Sequence, residues 1–347
     1  MPAATTPNAA PPAKPRVLVA IPIFAEVLAR LQQVFDVDAP CGTDTAIDWT
    51  PQALAERLQG CSGVYVAGAP RIDAALLDAC PQLRAVGSMA VGYNNLDLPA
   101  CTARGVLVSN APDVLTETTA DFGFALMMAT ARRIAESGLW LRAGQWQHWT
   151  YDLFAGADVH GATLGVLGMG RIGQAVARRG ALGFGMPVIY HNRSRLDAAI
   201  EQQLGAQWVS KEELLRRVDH LVIVVPYSPA SHHLIGAAEL ALMKPTATLT
   251  NIARGGVVDD AALAQALRER RIAAAGLDVF EGEPSVHPDL LTVPNVVLTP
   301  HIASASGPTR RAMADLAVRN LLAALGQGDE AGRPPTALNP EVLAGRS

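Results

Sequence analysis

Leu164-Gly165-Val166-Leu167-Gly168-Met169-Gly170-Arg171-Ile172-Gly173 is the stretch that decides the fold of this chain. A short apolar run ends on a G-x-G-x-x-G, and the residues from Gln174 onward read as a helix. The glycines permit a tight turn and let backbone approach a pyrophosphate closely, while the helix N-terminus offers unpaired N–H groups and the positive end of its dipole. A bare tight turn would also use glycines. The strand before and the helix after favour a dinucleotide site instead.

Downstream the same alternation continues. TLGVLGMGRIG (163–173), PVIYHNR (187–193), HLVIVVP (220–226), ATLTNIARGG (247–256), AAAGLDVF (273–280) and VVLTPHI (296–302) are six apolar strands separated by helical stretches. They predict one doubly wound parallel sheet. Residues 307–325 then read as an amphipathic helix.

About twenty residues after such a fingerprint, an NAD site needs an Asp or Glu to accept bonds from the ribose hydroxyls. Here the segment is Tyr190-His191-Asn192-Arg193-Ser194-Arg195, without a carboxylate. Arg193 and Arg195 suit a 2′-phosphate, with Asn192 and Ser194 as hydrogen-bond donors, so NADP(H) is expected and NAD(H) is the alternative. Two solvated arginines would be the plain reading of the same loop.

Three later strand ends carry polar residues out of keeping with their apolar lead-ins: Arg254 in NIARGG, Glu283 in DVFEGEP and His301 in LTPHIAS. Ligands of open α/β sheets bind outside the carboxyl ends of the strands. Hydride delivery to a ketone carbon leaves charge on the oxygen, which a histidine can protonate near neutral pH. A neighbouring carboxylate favours the imidazolium. A guanidinium can clamp a substrate carboxylate through two hydrogen bonds. The set therefore points to a 2-keto acid. Each residue singly also has a plain structural role: loop positioning, an exposed acid before Pro284, or a hinge histidine.

Upstream, residues 17–22, 24–35, 63–67, 72–80, 84–89 and 98–104 alternate as strand and helix, a first α/β domain. The loop SMAVGYNN (88–95) follows a strand; backbone N–H groups near Val91 and Gly92 could hold the same carboxylate across a cleft between domains, or the loop is an ordinary βα turn. Residues 115–141 are apolar on more than one face and predict a long helix buried between domains or subunits. A tryptophan-bearing segment, 144–154, follows it. Trp146 and Trp149 are read mainly as core or hinge residues; the family resemblance given below implies, as the alternative, an approach to a neighbouring subunit's site.

Composition bounds the answer. The chain has 347 residues, 50% apolar and 17% charged, which is globular and long enough for two domains. A net charge of −4 without a basic cluster excludes nucleic acid as the main partner. Four cysteines (Cys41, Cys61, Cys80, Cys101) without a C-x-x-C suggest neither a zinc cage nor a disulfide framework, and a cytoplasmic setting. No signal-peptide pattern and no apolar run of about eighteen residues stands out, so no membrane partner is expected. The Ala/Pro/Thr-rich residues 1–15 are expected to be disordered.

Taken together, AVGYNNLDL, VLTETTADF, GADVHGATLGVLGMGRIG, YHNRSR, NIARGGVVD, AAGLDVFEGEP and TPHIAS resemble, in order, the D-isomer-specific 2-hydroxyacid dehydrogenases. The resemblance is nearest to the glyoxylate/hydroxypyruvate reductases and the related 2-ketogluconate reductases, and it covers residues 17–342. It implies two Rossmann-like domains with the active site in the cleft between them. A discontinuous flavodoxin-like substrate domain (16–112 and 302–335) would flank a doubly wound dinucleotide-binding domain (113–301). A dimerisation helix (115–141), a homodimer and a C-terminal tail (336–347) are also implied.

By the same resemblance Arg254, Glu283 and His301 match the catalytic residues, His301 being the general acid. Val91 and Gly92 match the carboxylate-binding turn, and Ser304 lies near the substrate. Cofactor contacts are implied for Gly168, Met169, Gly170, Arg171, Ile172, Gly173, Asn192, Arg193, Ser194, Arg195, Val225, Pro226, Ile252, Ala253 and Asp278; no metal is implied. Formate dehydrogenases of this fold carry an amide where Glu283 stands, which disfavours them. An NAD-dependent enzyme acting on another hydroxy acid, such as 3-phosphoglycerate, and a dinucleotide-sensing binding protein remain the alternatives.

Overall fold

The computed structural model describes residues 14–43 and 45–345. The disorder expected for 1–15 falls almost wholly outside them. The chain divides into two compact units: one runs up to Pro112 and resumes at Arg310, and the other is Asp113–Thr309.

The first unit contains β1 (Arg16–Val19), α1 (Ala25–Val34), β2 (Asp36–Asp38), α2 (Pro51–Leu58), β3 (Gly63–Val66), α3 (Ala74–Ala79), β4 (Ala85–Ser88), α4 (Leu98–Ala103) and β5 (Leu107–Ser109). Its sheet has the order β2-β1-β3-β4-β5, all parallel, which is the flavodoxin-like order. The helices begin where side chains can cap them. Thr50 accepts from Ala53 N, Asp73 from Leu76 N and Asp97 from Ala100 N. Leu18, Val64, Val66, Val86 and Val108 from the strands meet Leu54, Leu58, Leu76 and Leu77 from the helices in one core.

The second unit contains α5 (Thr116–Ala131), α6 (Ile134–Arg142), β6 (Leu164–Leu167), α7 (Arg171–Phe184), β7 (Val188–His191), α8 (Ala198–Leu204), β8 (Ala206–Trp208), α9 (Lys211–Arg217), β9 (His220–Ile223), α10 (Ala237–Leu240), β10 (Thr248–Asn251), α11 (Asp260–Arg268), β11 (Ala274–Leu277) and β12 (Val296–Leu298). Its sheet has seven strands in the order β12-β11-β10-β9-β6-β7-β8. The strand order reverses between β9 and β6, the switch point at which doubly wound sheets bind nucleotides. Two further helices, α12 (Gly307–Ala324) and α13 (Glu341–Ala344), complete the chain.

Five expectations change. The sequence reading gave six strands here; β8 is the seventh, an edge strand too short and polar to show an apolar run. Residues 115–141 are not one helix, because Arg133 takes φ +53° between α5 and α6. The all-round apolar character of α5 is explained within its own unit. Gly123 abuts Ile252, and a Cβ on Gly276 would lie 2.4 Å from Thr130 Oγ1, so helix and sheet pack face to face. By contrast α6 has no buried residue.

Trp146 and Trp149 are not core residues: they are 55% and 74% exposed. Finally, the segment set apart as a tail is tied into the first unit. Asn339 Oδ1 accepts from Val108 N at 2.8 Å, its Nδ2 donates to Val106 O, and Ala337 bridges to Ser109. The division between the units falls after Thr309, inside α12, rather than at His301. Among the described residues, no helix is long and apolar enough to cross a membrane.

Candidate active site

The Gly-rich turn is built as its spacing requires. Gly168 ends β6 with φ +101°, and a Cβ there would lie 2.8 Å from Val224 C and Val225 N, so only glycine fits. A Cβ on Gly173 would meet Gly168 O at 2.3 Å, which is how α7 comes to pack so tightly on its strand. Gly170 is the N-cap of α7, no side chain caps it, and the space about its Cα is open. This cradle of backbone at an uncapped helix start fits the pyrophosphate of a dinucleotide. Met169 is buried and Ile172 partly buried in the core behind it. Arg171 is exposed and pairs with Asp113 at 2.8 Å.

The strand ends on either side close around this turn. Asn192, following β7, accepts from Met169 N through Oδ1 at 2.6 Å, so its side chain braces the turn. Arg193 and Ser194 are exposed, and among the described residues no ion pair engages Arg193. Arg195 differs: its Nε and Nη2 donate to Glu201 at 2.9 and 2.6 Å. Tyr190 OH donates to the same carboxylate at 2.6 Å and accepts from Leu196 N. Held by Arg195 and then by Tyr190, the Glu201 carboxyl lies well below its ordinary range, at about 2. Burial, then the Glu201 bond, pushes Tyr190 up to about 12. Sequence reasoning missed Glu201 and Tyr190 because their meeting depends on α8 folding back on β7.

Val225 and Pro226 follow β9, and Ile252, Ala253 and Arg254 follow β10. Ala253 N donates to Asn251 Oδ1, Asn251 Nδ2 donates to Arg254 O, and Arg254 Nη1 donates to Ala253 O, which fixes a tight turn. A Cβ on Gly255 would lie 1.7 Å from Phe280 O, so this turn presses against the segment after β11. Burial lowers the Arg254 pKa while the Glu283 charge opposes it; a guanidinium remains protonated at neutral pH.

Glu283 Oε1 accepts from Phe280 N at 2.9 Å, and Oε2 lies 2.7 Å from His301 Nδ1. Burial acts to raise the Glu283 pKa. The His301 bond and charge, the Phe280 N–H and Arg254 outweigh it and keep the carboxyl below its ordinary value. His301 takes φ +53°, a conformation a β-carbon disfavours, and its N–H donates to Asp278 O. The Asp278 side chain is fully buried, accepting from Thr299 Oγ1 and Ile302 N on Oδ1 and from Ala303 N on Oδ2, and so it holds the His301 segment in place. Ser304, half-buried, follows in that segment.

The Gly-rich turn, Asn192, Arg193, Arg254, Glu283 and His301 stand beyond the carboxyl ends of the parallel strands of the second unit. In the first unit, Asn110 Nδ2 donates to Val91 O at 2.7 Å, and the N–H groups of Val91 and Gly92 have no partner among the described residues.

A seven-stranded doubly wound sheet, a glycine cradle at its switch point and an Arg/Glu/His set at the neighbouring strand ends define a nicotinamide-dinucleotide-dependent dehydrogenase. Residues 124–303 match the profile of the D-isomer specific 2-hydroxyacid dehydrogenase NAD binding domain. The chain is 44% identical over 334 residues to the glyoxylate reductase of Thermococcus onnurineus, covering 95% of this chain and 97% of that protein. It is 47% identical over 296 residues to the glyoxylate reductase of Thermococcus kodakarensis, covering 84% and 87%. Among solved structures, the NADPH-dependent glyoxylate/hydroxypyruvate reductase of Sinorhizobium meliloti, crystallised with NADP and malonate, superposes with a TM-score of 0.81. That match is 36% identical and covers 94% of this chain and 98% of the other. The chain belongs to the D-isomer-specific 2-hydroxyacid dehydrogenase family and is an NAD(P)-dependent dehydrogenase.

Proposed function

We propose that this enzyme reduces a small 2-keto acid, glyoxylate foremost with hydroxypyruvate and 2-ketogluconate as further candidates, to the D-2-hydroxy acid with NADPH in preference to NADH. The observation that carries the reading is the 2.7 Å contact between His301 Nδ1 and Glu283 Oε2 beside the Arg254 turn. The names of the archaeal relatives support glyoxylate, and the NADP complex of the Sinorhizobium enzyme supports the cofactor.

The Gly168–Gly173 turn would hold the cofactor's pyrophosphate and Arg193 its 2′-phosphate, and the bound cofactor would supply the hydride. The rest of the chemistry falls to the chain. Glu283, held ionised, accepts from Nδ1, which orients the His301 ring. The other ring nitrogen, Nε2, then delivers a proton to the carbonyl oxygen as charge develops there. Arg254 pairs with the substrate carboxylate. The unpartnered N–H groups of Val91 and Gly92 support a carboxylate-binding role for that turn, and Ser304 is assigned to the substrate side of the His301 segment.

We also infer a homodimer. Ile134, Leu139 and Leu141 of α6 are 57%, 71% and 52% exposed, and Trp146, Trp149 and Tyr151 follow directly, an apolar surface a soluble monomer rarely leaves open.

The test is the loss of reduced-cofactor absorbance with NADPH and NADH in parallel, offering glyoxylate, hydroxypyruvate, 2-ketogluconate and pyruvate. NADPH turnover with one of the first three is expected; silence with every pair refutes the reading. His301→Ala should lower kcat about 10²- to 10⁴-fold.

A further inference from the structure

Outside the catalytic set, three loops of the second unit bring a second group of titratable side chains together. His232 and His233 follow the cofactor loop after β9, and Glu281 lies two residues before Glu283 in the loop after β11. The two imidazole rings stack with centroids 3.9 Å apart. Their Nε2 atoms converge on one carboxylate: His233 Nε2 is 2.7 Å from Glu281 Oε2, and His232 Nε2 is 4.0 Å from Oε1. One ligand atom from each of the three residues lies within 4.8 Å of the others.

The remaining ring nitrogens carry the second observation. His232 Nδ1 is 3.3 Å from Tyr227 OH, and His233 Nδ1 is 3.7 Å from Asp259 Oδ2. A metal-ligating histidine is oriented by a hydrogen bond at the nitrogen off the ion, as Tyr227 OH provides for His232; His233 Nδ1 has the Asp259 carboxylate within ion-pair range. The backbone holds the arrangement. His233 takes φ +48° with its N–H donating to Gly256 O at 2.7 Å, and Glu281 N donates to Asp260 Oδ2 at 3.1 Å. A Cβ at Gly256 would lie 3.4 Å from His232 Nδ1, so the loop after β10 passes directly behind the pair.

We propose that His232, His233 and Glu281 form a binding site for one divalent transition-metal ion of the zinc class, which ties the loop after β9 to the loop that carries Glu283. Two imidazoles and a carboxylate are a borderline donor set that suits Zn2+ and not Mg2+. Metal bonds of about 2.0–2.2 Å place tetrahedral ligand atoms about 3.4 Å apart, a spacing that the 2.7 and 4.0 Å separations bracket. Binding therefore requires the two near-parallel rings to unstack until both Nε2 lone pairs meet at one point, and it displaces the proton between His233 and Glu281 to solvent. The four cysteines are all buried, so no accessible thiolate competes among the described residues.

The experiment is calorimetric titration of the metal-stripped full-length enzyme with Zn2+, with Mg2+ as the control. About one Zn2+ per chain is expected to bind, with an affinity lowered at least about tenfold in His232→Ala and in Glu281→Gln. Tyr227→Phe, which keeps all three ligands, should weaken binding less than either. Zn2+ should also raise the unfolding midpoint of the wild type and leave that of His232→Ala unmoved, while His232→Ala keeps its metal-free turnover. No saturable Zn2+ binding, or binding unchanged in the two ligand variants, overturns the proposal whatever the substrate of the enzyme.

Discussion

Arg193→Ala should raise the KM for NADPH about 10- to 100-fold and leave the KM for NADH within about threefold. The magnitude follows from the geometry of the loop after β7. Arg193 is exposed and, among the described residues, outside any ion pair, so its donors are available to a 2′-phosphate. A charge-assisted hydrogen bond contributes about 1.5–3 kcal/mol, and each 1.4 kcal/mol is tenfold in affinity. Arg195 starts from a different state. Its guanidinium is already committed to Glu201 through bonds of 2.9 and 2.6 Å, and that carboxylate also accepts from Tyr190.

Arg195→Ala should therefore raise the NADPH KM chiefly by unmasking the Glu201 charge, and adding Glu201→Gln should recover much of the loss. Adding Glu201→Gln to Arg193→Ala should recover nothing. The assay is steady-state kinetics with each cofactor at saturating keto acid for the wild type, both single variants and both doubles. Equal increases for NADPH and NADH in Arg193→Ala would refute the reasoning, and so would a larger effect at Arg195 that Glu201→Gln leaves in place.

The Glu201 carboxyl, lowered from 4.5 to about 2, contributes stability that is fully present above its unfolded value and lost as pH falls from there through the folded value. Acid unfolding followed by circular dichroism should be less steep between those limits in Glu201→Gln, and an unchanged profile would contradict the assignment. Gly168→Ala forces a β-carbon into φ +101° against Val224 and Val225. It should cost about 1–3 kcal/mol, a drop of several degrees in Tm, together with loss of cofactor binding. Glu283→Gln keeps the shape of the side chain but removes its charge beside His301, and should lower kcat far more than it changes KM. Leu139→Glu combined with Trp149→Glu should shift sedimentation from dimer to monomer; an unchanged profile would place the interface elsewhere.

Much of the architecture was legible because it is written in local pattern. The apolar runs that became β1, β3, β4, β6, β7, β9, β10 and β11 are buried strands, and burial on both faces produces such runs; β12, at the sheet edge, is half-buried. G-x-G-x-x-G, NIARGG and LTPHIAS were legible as site segments because each breaks the character of the strand before it. Edge strands β2 and β8 escaped notice: only one of their sides pairs, so Asp36, Asp38 and Gln207 are tolerated there. The break at Arg133 was hidden as well, since two helices packed end to end share one composition.

By itself the sequence determined the parallel α/β class and the dinucleotide turn, because these rest on residue types at short spacings, and it singled out Arg254, Glu283 and His301 as candidates by their place at successive strand ends. Only the tertiary structure decided what each polar group is bonded to. It gave Arg195 to Glu201, turned Asp278 inward to hold the His301 segment, bound Asn339 to Val108, and left Trp149 in solvent. Those partners lie on other elements, and which side chains meet there is set by the packing of the whole sheet and its helices, which no local pattern encodes.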